Sequence, residues 1–268
     1  MNRVLYFYEL KANMKTISSY AFGMVLYLWL FIWIYPSFAH SQALNTLLQQ
    51  MPQGLMRVLG YTVGITHIAD FLGGEFYSLF YLVIMSIYAI FVATKLVAHL
   101  IDNGSMAYLL ATPVSRTKVA ITQAAVLMSG LLIIGLVSTV GALLGVHWFL
   151  QQSGMNNIDF VKMNVVGVLL FCVVASYCFL FSSLVRDERT ALGLSTFVTV
   201  LFYGLHTVGN LSTKFNWLSH LTLFNFFDPQ NLIHGKGHFA LDSLTLLIAT
   251  VIILVVSIAG FRKRQLPL

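Results

Sequence analysis

The sequence predicts an all-α membrane protein: six transmembrane helices, an N-terminal interfacial helix, a short cytoplasmic helix and both termini in the cytoplasm. Three observations predict it. Of 268 residues, 58% are hydrophobic and 9% charged, against about 25% charged in a soluble domain. A chain this apolar cannot cover a soluble surface, so the bilayer is its solvent. Apolar runs near the roughly 20 residues that a span requires recur six times. The lysines and arginines lie mainly on one side of the implied topology.

Each element follows in order. Residues 1–17 do not span, because Arg3, Glu9, Lys11 and Lys15 interrupt them. Phe7, Leu10, Met14 and Ile17 share one helical face with Lys11 and Lys15 on its flank, which predicts a helix lying in the membrane interface. The spans are expected near 20–38, 76–98, 119–146, 165–185, 191–211 and 241–261, in a single membrane domain over 1–268. The first has no small-residue cleavage site and reads as a retained anchor. Between the first two spans, Leu44, Leu47, Leu48, Met51, Leu55 and Leu59 would give a surface-lying helix an apolar face.

Six spans put both termini on one side. That side carries Arg3, Lys11, Lys15, Lys95, Arg116, Lys118, Arg186, Arg189, Arg262, Lys263 and Arg264; the other carries Arg57, Lys162, Lys214 and Lys236. The positive-inside rule makes the richer side cytoplasmic. Topology and anionic lipid headgroups account for the net charge of +6 without nucleic acid.

The second cytoplasmic stretch carries the strongest local signal, Asp102-Asn103-Gly104-Ser105-Met106-Ala107-Tyr108-Leu109-Leu110-Ala111-Thr112-Pro113-Val114-Ser115-Arg116. Asp102, Asn103 or Ser105 can cap a short helix. Met106, Leu109 and Leu110 give it an apolar face, and Pro113 stops it by biasing Thr112 away from the helical region. Ser115 can cap the third span. A helix with both a start and a stop across the ends of two spans has the form of a partner-docking element.

These residues resemble the ABC-2 type permeases, transmembrane subunits of ABC exporters. Asp102, Gly104, Ser105, Leu109, Leu110, Thr112, Pro113, Ser115 and Arg116 stand at the family's spacing for an acidic residue, Gly-Thr, a Leu-rich helix, Thr-Pro, a small residue and Arg. The basic N-terminal helix, the turn Arg186-Asp187-Glu188-Arg189, the segment Leu223 to Pro229 and the basic C-terminus are also similar. Where the family often has glutamates, this chain has Leu100 and Ala107.

The resemblance implies that Asp102 to Pro113, with Met106 and Tyr108 among them, is a coupling helix seated on a separate ATPase subunit. The turn Arg186, Asp187, Glu188, Arg189 would be a smaller second contact. It implies two ATPase copies and a second permease chain, identical or similar, in the plasma membrane of a prokaryote. It also implies that the segment before the last span, around Leu221 to Phe227, dips back into the membrane. ATP and magnesium belong to the partner. This chain's Gly-Lys pair, Gly235-Lys236, lacks the Walker A pattern, so no cofactor and no catalysis of its own are expected.

Other residues point less sharply. His206, with Asn210 one turn on, lies within the fifth span and is a candidate for the translocation path, because ionisable groups inside a membrane are costly. Asp70, Glu75, Asp228 and Asp242 sit near outer span ends as candidate cation ligands, although Asp228-Pro229 is also a helix-start signal. The histidines form no zinc-type pair on a helix, and no metal site is expected. Cys172 and Cys178 lie six apart, off a common helical face, and read as packing residues. Gly60, Gly64, Gly130, Gly135, Gly141 and Gly145 permit close helix contacts.

The leading functional reading is export of an amphipathic peptide, lipid-like molecule or drug. The alternatives are a non-transporting scaffold or sensor subunit, a permease for a small ion, and an intramembrane enzyme. For the last there is no Gly-x-Ser-x-Gly elbow and no His-Glu-x-x-His pair.

Overall fold

A computed structural model describes residues 1–39, 67–110, 114–150, 154–185, 187–211 and 213–264. The surface helix expected between the first two spans lies outside these residues. Six of the described helices are long and apolar enough to cross a membrane, in the order anticipated. Each begins further out than its hydrophobic run, while the fourth and fifth end at or just before the anticipated point: Arg3–Ala39, a second span from Ile68, Arg116–Phe149, Asn157–Leu184, Glu188–Leu211 and Phe239–Lys263. Helix-compatible polar flanks extend each one beyond its apolar run. No strand occurs among the described residues.

The separate interfacial helix expected over residues 1–17 is not separate. Arg3–Ala39 is one continuous helix of 37 residues. At 1.5 Å per residue it is about 55 Å long, against a hydrocarbon core of about 30 Å. Its first turns run along the third span rather than flat beneath the bundle. The Asn2 amide donates to Thr122 Oγ1 (3.0 Å), Tyr6 Oη meets Ser129 Oγ (2.7 Å) and Gln123 Nε2 donates to Glu9 Oε1 (3.4 Å). Ile17 is buried and Leu10 partly so, whereas Phe7 and Met14 remain exposed. Half of the anticipated apolar face therefore packs on protein.

The first and third spans stay close along their whole length because the third presents glycines. A Cβ at Gly141 would stand 2.6 Å from Val25 Cγ2, and one at Gly145 would stand 2.8 Å from Trp29 Cδ1. Trp29 Nε1 donates to the Gly141 carbonyl at 2.8 Å. Gly130 receives the Tyr88 hydroxyl and Gly135 receives Val168. The fourth span is the most enclosed, and both cysteines are buried in it as free thiols. The fifth and sixth spans are the least enclosed; Phe197, Val200, Val251 and Val255 face outward.

The second span is irregular at both ends. It opens as a helical turn, Ile68–Phe71, widens into a π-helix over Leu72–Phe80, and continues as an α-helix over Tyr81–Leu96. Aromatic side chains fill the space around the wide section: Phe31 packs on Phe71, Phe76 and Phe80, and Tyr77 donates to Asn164 Oδ1 at 3.0 Å.

After the fifth span the chain folds back onto the bundle through short helical turns, Thr213–Phe215, Asn216–His220, Leu223–Phe226 and Pro229–Ile233. Phe224 and Phe227 are buried, against Tyr203 and Tyr81 respectively. Asp228 Oδ1 accepts from the Asn231 amide (3.1 Å), so this carboxylate starts a helix.

Candidate functional site

Four parts of the chain meet at the end of the bundle that holds the termini: the start of the first span, the described residues of 94–110 and 114–118, those of 182–185 and 187–190, and Arg264 after the last span. The geometry begins with a break. At Val97 the backbone turns to φ −131°, ψ −65°, and its amide falls back on the Thr94 carbonyl. The next amide, Ala98, is buried and donates instead to Ser182 Oγ of the fourth span at 2.9 Å. A buried amide without a partner would cost about 1–3 kcal/mol, so Ser182 makes the break tolerable.

Beyond the break, Ala98–Asp102 forms a short helix. Gly104 then adopts φ +75°, a region open to glycine at little cost. This reversal redirects the chain into the helix Ser105–Leu110. Asn103 caps it, its Oδ1 accepting from the Ser105 amide at 3.0 Å. Met106 is buried in the bundle. Leu109 is half-buried and, with Val114 and Val119, lines an apolar groove of about 280 Å³ closed on its other side by Asn2, Val4, Leu5 and Tyr8. Tyr108 and Leu110 belong to the helix, but their side chains, like Thr112 and Pro113, lie outside the described residues.

Asp102 does something its sequence position did not reveal. Its Oδ2 accepts from the backbone amide of Glu188 (3.4 Å), at the first turn of the fifth span. Glu188 reaches back, its Oε2 2.7 Å from His99 Nδ1. The stretch around Asp102 and the tight turn, which the sequence reading treated separately, are thus joined. Asp187 caps the same helix, its Oδ2 accepting from the Thr190 amide at 2.7 Å. The Thr190 hydroxyl and amide together hold the Asp187 carboxyl below the usual carboxylate range. Arg189 is exposed, and Arg186 lies outside the described residues.

Ser115 caps the third span as anticipated, accepting from the Lys118 amide at 3.4 Å. Arg116 turns toward the C-terminus, donating to the Arg264 carbonyl at 3.0 Å. Arg264 in turn donates to the Ser183 carbonyl at 2.8 Å, where a cation complements the negative end of the fourth helix. His99, Ser182 and Arg264 are thus members of the site that the sequence did not single out. For Arg264 the only signal was the basic tail.

His206 and Asn210 lie at the opposite end, away from this cluster. Asn210 Nδ2 and His206 Nε2 are 3.0 Å apart, as the one-turn spacing requires. His206 Nδ1 is buried without a hydrogen-bond partner among the described residues, and its ring lies 6.3 Å from that of Phe224. Among the described residues no three His, Cys, Asp or Glu side chains gather where an ion could be held. Of the candidate carboxylates, Asp70 is paired with His234 at 2.6 Å.

The model of the family described as ABC-2 family transporter protein matches residues 20–266. An uncharacterized protein of Bacillus subtilis (strain 168), YhcI, is 25% identical over 207 residues, covering 69% of this chain and 65% of the relative. The match thus spans just under two thirds of that relative's length. With six spans, the short helix at the break and a family match over nearly its whole length, the chain belongs to the ABC-2 family of transporter permeases.

Proposed function

We propose that this chain is the translocating subunit of an ABC exporter in the plasma membrane of a prokaryote, with the terminal end of its bundle in the cytoplasm. A separate ATPase subunit seats on the helix Ser105–Leu110 and on the adjoining turn at residues 186–189. Two such permease chains, identical or similar, stand above two ATPase subunits that bind ATP and magnesium. The observation that carries the reading is the joining of those two loops through Asp102, His99 and Glu188. A docking helix that moved independently of the spans would absorb the partner's motion. One fixed at Ala98 by Ser182 and at Glu188 by two contacts passes it to the second, fourth and fifth spans. ATP shifts the transporter between states because it binds one ATPase arrangement better than the other.

The cargo we assign is amphipathic: a peptide, a lipid-like molecule or a drug. Supporting this, His206 and Asn210 form a polar pair within the fifth span, with the Phe224 ring beside the imidazole. The test is co-expression with the ATPase encoded beside this chain, followed by purification and ATP-turnover measurement. The ATPase is expected to co-purify with the wild type and to be lost with Leu109→Asp, which puts a charge on the groove. An ATPase that fails to bind the wild type, or that binds the variant equally well, overturns the reading.

A further inference from the structure

The far end of the second span holds a second arrangement. The π-helix over Leu72–Phe80 is nine residues long, whereas π-helical geometry is rare and usually limited to one turn, often at functional positions. Where pairing changes from the fourth to the fifth residue along, one carbonyl is skipped. Gln230, buried in the turn Pro229–Ile233, donates its Nε2 to the backbone carbonyl of Asp70 at 2.8 Å, beside that junction. Its amide also fills the space over Gly73, where a Cβ would stand 3.0 Å from Nε2. One turn further along the same segment, His234 Nε2 lies 2.6 Å from Asp70 Oδ1. Asp70 is itself buried, and its other oxygen accepts from the His67 amide at 3.1 Å.

We infer that Gln230 and His234 form a latch on Asp70 that holds the outer end of the second span in its π register. Release of the segment 229–234 lets residues 72–80 tighten toward α-helical pairing. Because the fifth-residue pattern houses one extra residue, tightening turns every side chain upstream of Tyr81 relative to the aromatic cluster it now packs in. The same span ends on the opposite side in the break at Val97 and the docking helix. The second span therefore carries this latch at its outer end and leads, through the break at Val97 and the reversal at Gly104, into the proposed ATPase contact at its inner end. Bistable packed elements of this kind convert small displacements into discrete changes of state. The latch's place in a transport cycle rests on the permease reading; the latch itself does not.

The test is hydrogen–deuterium exchange on the full chain in lipid nanodiscs, alone and with its ATPase, nucleotide-free and trapped with ADP and vanadate. On trapping, peptides over 68–81 and 229–234 are expected to lose protection together. Gln230→Leu is expected to raise exchange over 72–80 by about tenfold without nucleotide, the effect of removing one buried hydrogen-bond partner. Gly73→Ala, which displaces the Gln230 amide sterically and leaves every latch residue in place, is expected to do the same. If residues 105–110 respond to trapping while 68–81 and 229–234 do not, the contact is static packing and the inference is overturned with the permease reading intact. If no ATPase binds, the permease reading fails by itself. The chain alone then decides the latch, which is overturned if both variants exchange like the wild type.

Discussion

His99 Nδ1 and Glu188 Oε2 stand 2.7 Å apart, joining residues 89 positions apart in the sequence. Both side chains are partly open to solvent, 44% and 34% exposed, and exposed pairs contribute between zero and about 1 kcal/mol. The pair therefore contributes little to stability, and its expected role is to keep the two loops together. Replacing Glu188 by Gln is expected to shift the thermal midpoint by less than about 3 °C. ATP turnover of the assembled transporter should nonetheless lose its response to transported cargo. Calorimetry and ATPase assays on the same preparation separate the two effects; a large loss of stability would mark the pair as structural.

Ser182 is a different case, because its partner is buried. Ser182→Ala leaves the Ala98 amide without its acceptor. A loss of about 1–3 kcal/mol is expected, measured by denaturant or thermal unfolding in detergent. Ser182→Thr, which keeps the hydroxyl, should recover part of it.

Gly130→Ala places a methyl group against the Tyr88 hydroxyl. Overpacking of this kind costs about 1–3 kcal/mol. The Tyr88 hydroxyl is buried without a hydrogen-bond partner among the described residues, so Tyr88→Phe alone should be close to neutral. The double variant should recover much of the loss, since the clashing atom is gone. A double variant no more stable than Gly130→Ala would show that the third span's approach is limited elsewhere.

Topology gives a fourth expectation. A cysteine placed at Lys236 should react with a membrane-impermeant thiol reagent in intact cells, and one at Arg189 only after permeabilisation. Cys172 and Cys178 are buried and should stay silent in both cases. The reverse pattern would invert the assigned orientation.

How much of this was legible beforehand depends on whether the information is local. Six spans, the cap at Ser115 and the asparagine that caps the short helix rest on hydrophobic runs and on residues within a few positions of one another. Their number, order and sequence region could be read directly. The ends could not, because Glu9 looks like an interruption until the third span supplies Gln123 beside it, as it supplies Thr122 to the Asn2 amide and Ser129 to Tyr6. In the candidate site, Asp102 was singled out as a helix cap but serves the fifth span. Nothing near His99 or Ser182 announces partners more than eighty residues away. The π-helix was hidden for the same reason: Gly73 and Gly74 permit it, while the residue that secures its junction, Gln230, lies 160 positions downstream.

The central claim, that an ATPase docks on the joined surface of residues 99–110 and 186–189, is tested most directly by site-specific photocross-linking in cells that express the full transporter. A photoreactive residue at Ala107 or Arg189 is expected to capture the ATPase subunit, and one at Lys236, at the opposite end of the bundle, is not. Capture from Lys236, or no capture from either Ala107 or Arg189 while the complex is assembled, would contradict it.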